Sequence, residues 1–153
     1  MKINIASTNR FHLLDLAREL QIQGYDVRFY SYVPSKRCEK FGLTSKCCSF
    51  LWIAVPFLLL QKVFPKSEKL IYYRNIVLDK YLSCFMRPCD VYIALGSVYL
   101  NSLTAAKAKF GASSILEWGS KHIIEQRKQF GTLEGYNKTY LNRELKGYEL
   151  ANY

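Results

Sequence analysis

The sequence predicts an α/β fold: a doubly wound, mostly parallel Rossmann-like sheet with helices on both faces. Three observations predict it. Short apolar runs alternate with longer runs of helical periodicity along the whole chain. The first thirty or so residues read as strand, helix and strand, one βαβ unit. Asp90 to Gly96 is apolar enough to be a central strand buried on both faces.

The elements follow in order. Lys2 to Ala6 alternates and is the first strand. Ser7-Thr8-Asn9-Arg10 is a polar loop with helix-capping residues. Phe11 to Gln23 is a helix with Leu13, Leu16, Ala17 and Leu20 on one face; Gly24 ends it, and Asp26 to Ser31 is the second strand. Pro34 to Thr44 is a basic connection, and Lys46 to Ser49 a short third strand. Phe50 to Leu60 is an unbroken apolar run. Continued to Phe64, it makes a helix from Leu51 roughly 21 Å long. That is short of the about 20 residues needed to cross a bilayer core of about 30 Å. Pro56 shortens such a helix or places its start near residue 55. Two readings stand: a buried helix, or an apolar face that dips into a membrane interface.

Ser67 to Met86 is a long helix with Leu70, Tyr73, Val77, Tyr81 and Cys84 on one face, widened by Ile71, Leu78, Leu82 and Phe85. After the Asp90–Gly96 strand, Ser97 to Phe110 is a helix ended by Gly111, and Ser113 to Glu117 is the fifth strand. The central strands are expected at residues 2–6, 90–96 and 113–117. Gly119 turns the chain sharply into a helix from about Ser120. A loop over 131–137 precedes a last helix, Thr139 to Asn152, with Leu141, Leu145 and Tyr148 at core spacing.

The composition narrows the function. With 153 residues, half of them hydrophobic and 22% charged, the chain is one folded domain and not a disordered segment. The net charge is +10, unevenly spread: Pro34 to Arg74 holds eight basic and two acidic side chains, leaving +6. Charge beside an apolar run points to an anionic membrane surface as readily as to a nucleic acid. No aromatic-basic recognition pattern accompanies it, so no nucleic-acid partner is expected. The five cysteines (38, 47, 48, 84 and 89) have no Cys-x-x-Cys spacing, and His12 and His122 complete no zinc pattern. They read as reduced thiols, and with no signal-peptide pattern the expected location is cytoplasmic, peripheral on the inner face of the membrane where it associates.

The candidate site is the turn after the fifth strand. Carboxyl ends of strands in open α/β sheets are where ligands bind. His122 falls in the first turn of the following helix, whose dipole disfavours the imidazolium. A neutral imidazole there donates one hydrogen bond and accepts another, or simply caps its own helix. The first loop lacks the Gly-x-Gly-x-x-Gly fingerprint, which argues against an ordinary dehydrogenase.

Several stretches resemble the amino-terminal half of a family-four glycosyltransferase of the GT-B fold. They are Asn9-Arg10-Phe11-His12 with Asp15 to Leu20 and Gly24 to Val27; Ala105-Ala106-Lys107 with Gly111-Ala112; Leu116-Glu117-Trp118-Gly119-Ser120-Lys121-His122-Ile123; and Glu144-Leu145 with Tyr148 to Tyr153. The third resembles the Glu-x-Gly-Ser-x-His-Ile stretch of bacterial polysaccharide-building members, and its Gly-Ser-x-His resembles the Gly-Thr-x-His of related lipid mannosyltransferases. The likeness spans nearly the whole chain, residues 1–153. It departs in the first loop, where Asn9-Arg10 stand in place of a frequent Gly-Gly pair, and in the lack of a further strand and of the donor-binding domain. The chain then reads as a truncated acceptor-side half, inactive alone.

The resemblance implies transfer of a sugar from a nucleotide-sugar donor to a glycan or lipid-linked acceptor, with retention and without a bound metal or other cofactor. His122 would contact the transferred sugar. Asn9, Arg10, His12, Glu117, Gly119 and Ser120 would line the substrate site. Bland readings stand beside these: Glu117 as a strand-end carboxylate bonded to backbone, His12 as a helix-start residue, and Arg10 as a solvated loop cation. Lys46 to Lys69 would meet anionic lipid. The alternative function is a free-standing Rossmann-like module that binds a nucleotide or a partner protein.

Overall fold

A computed structural model describes residues 1–43, 47–96, 98–117 and 138–152. Five parallel strands make one sheet in the order β3-β2-β1-β4-β5: β1 is Lys2–Ser7, β2 Asp26–Ser31, β3 Cys47–Ser49, β4 Val91–Leu95 and β5 Ser113–Glu117. The helices among the described residues are α1 (Phe11–Ile22), α2 (Ser35–Lys40), α3 (Leu51–Val63), α4 (Glu68–Phe85), α5 (Leu100–Phe110) and α6 (Lys138–Leu150). The expected doubly wound α/β fold is the observed one. The strands sort their side chains by the two-residue period. Ile3, Ile5, Val27, Phe29 and Ile93 face a core built with Leu13, Leu14 and Ala17 of α1 and Cys38 of α2. Ala6, Tyr30, Tyr92, Ala94 and Leu116 face the other, built with α3, α4 and α5.

Several boundaries and faces differ from expectation, each for a physical reason. Residues 113–117 form an edge strand of the described sheet and not a central one, because β4 alone inserts between β1 and β5. Residues 35–40, read as connection, form α2; a six-residue helix that buries only Cys38 leaves no periodic signal. α3 runs through Pro56, although that residue removes the bond to the Trp52 carbonyl. Its first turn is held by packing instead: Ile53 and Ala54 are buried, and the rings of Phe50 and Trp52 lie 4.8 and 6.2 Å from that of Tyr81. α5 begins at Leu100, later than the expected Ser97, and ends as expected at Gly111, whose φ of 64° suits a residue without a side chain.

On α4 part of the expected face is inward: Leu78 and Leu82 are buried, and Val77 and Tyr81 pack against the core. Tyr73 and Phe85 are exposed, and the inward residues also include Ile76 and an acid, Asp79. Asp79 is fully buried. One carboxylate oxygen accepts from the Ser102 N–H and hydroxyl, both at 2.7 Å; the other accepts from the Asn101 N–H at 3.0 Å and side-chain amide at 2.7 Å. These are second and third positions of α5, so a side chain from α4 caps α5 from outside. Arg143 of α6 completes the set: its Nη2 lies 2.7 Å from Asp79 and donates to the Val98 carbonyl at 2.8 Å. The Tyr92 hydroxyl donates to Ser102 at 2.7 Å, which ties β4 to the same group.

α6 turns Arg143, Glu144 and Gly147 toward the body; Leu145 and Tyr148 of the expected face are half-buried, and the side chain of Leu141 lies outside the described residues. A Cβ at Gly147 would stand 2.9 Å from Leu116 Cδ1, so a larger residue there would push the Leu116 side chain aside.

Asp79→Ala leaves an arginine and two helix N–H groups without their acceptor and is expected to cost about 3–5 kcal/mol. Urea unfolding measures it. A loss under about 1 kcal/mol, the range of an exposed ion pair, would show that the network does not hold the helices together.

Candidate functional site

The carboxyl ends of the strands carry the chemistry. β1 ends in Ser7, followed by Thr8, Asn9 and Arg10; the Ser7 hydroxyl donates to the Asn9 carbonyl at 2.8 Å and tightens this turn. Arg10 occupies the N-cap position of α1, and no side chain caps that helix, contrary to the capping expected of the loop. β2 runs into Tyr32, Val33 and Pro34, and α2 follows with Arg37.

Between these loops and helices α3 and α4 lies a cleft of about 330 Å³. Thr8, Asn9 and Arg10 form one side, Tyr32, Val33, Pro34 and Arg37 another, Leu51, Ala54 and Leu58 of α3 an apolar wall, and Arg74 of α4 the remainder. Three guanidinium groups thus line one opening, and none of its described lining residues is acidic. Arg10 is not simply a solvated cation: its guanidinium stacks over the Phe41 ring at 3.6 Å, with Asp15 at 3.9 Å. Arg74 donates from Nη1 to Gln61 at 3.2 Å, while its buried Nε has no hydrogen-bond partner. Tyr32 donates to the Arg74 carbonyl at 2.6 Å, and burial pushes its hydroxyl up to about 12, so it stays neutral. On the far side of α2, Lys36, Arg37 and Lys40 line a second groove with Phe41.

Of the residues singled out by sequence, the structure brings two together. His12 Nε2, in the first turn of α1, lies 2.6 Å from Glu117 Oε2 at the end of β5. Both are partly exposed, at 46% and 29%. They bridge over the end of β4, next to the β1–β4 junction where the winding of the sheet reverses. When His12 carries a proton the two form an ion pair; when it is neutral, the same contact orients the ring. Asn9 and Arg10 belong to the cleft, on the β2 side of α1's start. Gly119, Ser120 and His122 lie outside the described residues.

Arg37, Arg74 and Tyr32 were not singled out by the sequence. The only signal for the arginines was the charge excess between residues 34 and 74, which does not tell a cleft from a solvated surface. No group of three or more metal-ligating side chains occurs among the described residues.

Beside the cleft, α3 presents much of its apolar run to solvent. Trp52 is 66% exposed, Leu59 57% and Val63 69%, and Phe64 just beyond is 58% exposed. Within the helix only Ile53 and Ala54 are buried, so the run is not a core helix. Lys62, Lys66 and Lys69 are exposed near its carboxyl end. No helix among the described residues is long and apolar enough to cross a membrane.

Comparison of the chain with protein-family models, with curated proteins and with solved structures found no match.

The cleft is expected to bind inorganic pyrophosphate. Loss of one charge-assisted hydrogen bond costs about 1.5–3 kcal/mol, so Arg37→Ala and Arg74→Ala should each weaken binding by about tenfold or more. Calorimetric titration measures this, with Lys146→Ala as the exposed control. Equal losses from all three variants would mean that net charge, and not the cleft, holds the anion.

Proposed function

We propose that this chain is the acceptor-side domain of a retaining glycosyltransferase of GT-B type. It would serve transfer of a sugar from a nucleotide-sugar donor to a glycan or lipid-linked acceptor. The supporting observation is the cleft at the carboxyl ends of β1 and β2, lined by three arginines from separate walls and by the apolar wall of α3. An acceptor with a phosphate joined to a long apolar chain matches both halves. Guanidinium groups take phosphate oxygens in pairs, and the chain continues along the exposed face of α3.

Within this reading each group has a task. Arg10, Arg37 and Arg74 hold the anionic group and fix where the acceptor hydroxyl lies. Tyr32, neutral, holds the Arg74 backbone in place. His12 and Glu117 stand beside the winding reversal, within reach of hydroxyls on a sugar bound between two domains. His122 meets the transferred sugar through a neutral imidazole, on the strength of the Gly-Ser-x-His resemblance. The donor nucleotide falls mainly to a second domain.

The location follows from the same surface. The exposed apolar residues of α3 enter the interface of an anionic membrane, and Lys62, Lys66 and Lys69 meet its headgroups. Each basic residue contributes about 1 kcal/mol near such a surface, an effect that salt screens. The protein is therefore expected to sediment with phosphatidylglycerol vesicles at low salt and to be released at high salt. A Trp52→Ser, Leu59→Ser variant should stay in the supernatant. Absence of binding at low salt rejects the membrane contact.

The activity has its own test. The 153-residue chain alone should turn over no nucleotide-sugar. Joined to a donor-binding domain that restores transfer, His122→Ala should lower turnover by about tenfold to a hundredfold, the loss of one hydrogen bond of about 1–3 kcal/mol in a closed site. Robust transfer by the isolated chain, or unchanged turnover in the variant, contradicts the assignment.

A further inference from the structure

Cys38 and Cys47 stand apart from every role above. Cys38 is fully buried in α2, Cys47 is half-buried at the start of β3, and their Sγ atoms are 2.7 Å apart. Nothing in the spacing of the two in sequence announces the pair. We propose that Cys38 and Cys47 form a reversible oxidation site, in which a peroxide converts the two thiols to a disulfide that clamps α2 onto β3. This holds whether or not the chain serves sugar transfer.

The geometry needs little change. A disulfide has an S–S length of about 2.05 Å, so the sulfurs must close by well under an ångström. The Cys47 thiol donates its hydrogen bond to Cys38 Sγ, which lowers the Cys38 thiol and raises that of Cys47. Cys38 is therefore the more acidic thiol of the pair, and Cys47 holds its proton more tightly. Access comes past half-buried Cys47, or through opening of α2, a six-residue helix without a side-chain cap.

The step balances. Cys38, its proton released to solvent, attacks one peroxide oxygen as the thiolate: an S–O bond forms, the O–O bond breaks, and the leaving hydroxide takes up that proton as water. Cys47 Sγ then attacks the sulfenic sulfur: the S–S bond forms, the S–O bond breaks, and the hydroxyl departs with the Cys47 proton as water. Two electrons pass from the thiols to the peroxide. Two of the other cysteines are poorly placed to compete: Cys89 is buried, its thiol pushed up to about 11, and burial also raises Cys48. Cys84 is exposed on α4 and open to peroxide and to pairing between molecules. The consequence reaches the cleft, because α2 carries Arg37 and β3 leads directly into α3. Oxidation fixes two of the cleft walls to each other.

The test uses the full chain with Cys84→Ser, which removes intermolecular pairing. Mild hydrogen peroxide should yield a protein lighter by the two thiol hydrogens, with Cys38 and Cys47 joined in the digest, and dithiothreitol should restore the mass. The clamp closes a short loop and should raise Tm by roughly 5–10 °C. Cys47→Ser, at the less buried position, should fold and show no peroxide-dependent rise. A Cys38–Cys47 link that raises Tm only in the parent supports the site. Added oxygen on a lone cysteine, a bond to Cys48 or Cys89, no reaction, or the same Tm rise in Cys47→Ser overturns it.

Discussion

The fold on the right of the sheet depends on one buried carboxylate. Asp79 sits in the middle of α4, where an unpaired charge would be prohibitively costly. It is made tolerable by two helix N–H groups, a hydroxyl, an amide and an arginine. The first four come from Asn101 and Ser102 of α5 and the arginine from α6, so the charge can be buried only when α4, α5 and α6 are all in place. Such a network contributes specificity more than net stability.

The same carboxylate shapes what the site can do. α5 starts at the carboxyl end of β4, where a parallel sheet of this winding commonly offers a helix amino end to an anion. Here Asp79 already neutralises that end. The positive charge for a ligand must come from elsewhere, and it does, from Arg10 and Arg37 in the segments after β1 and β2 and from Arg74 of α4. Placing the cations there also places them against α3. An anion bound by them is therefore beside an apolar, exposed helix, which couples the chemistry of the head to the solubility of the tail.

What the sequence revealed follows from how local each signal is. The βαβ unit over residues 2–31 was legible because alternation and helical period are properties of neighbours. The placement of 113–117 was not, since apolar content does not distinguish an edge strand from a central one. On α4, Leu78 and Leu82 were legible as inward, but Tyr73 and Phe85 were misplaced because these exposed aromatics outweigh in hydrophobicity the acid that is buried between them in sequence. At the site, His12 and Glu117 were each marked for reasons of their own, yet no spacing foretells that residues more than a hundred positions apart meet at 2.6 Å. Arg37 and Arg74 contributed only to a charge count, and Cys38 and Cys47 only to a cysteine count, until the winding of the sheet brought each pair to one place. The apolar run over 50–60 was ambiguous on its own terms; packing on one side alone, through Ile53 and Ala54, decides that it faces outward.

The central claim is that the arginine-lined cleft seats a phosphate whose apolar chain follows α3. A crystal structure with a short-chain polyprenyl diphosphate tests it most directly. The account predicts the diphosphate between Arg10, Arg37 and Arg74, with the chain against Leu51, Ala54 and Leu58. A diphosphate bound elsewhere, or a chain directed away from α3, would contradict it.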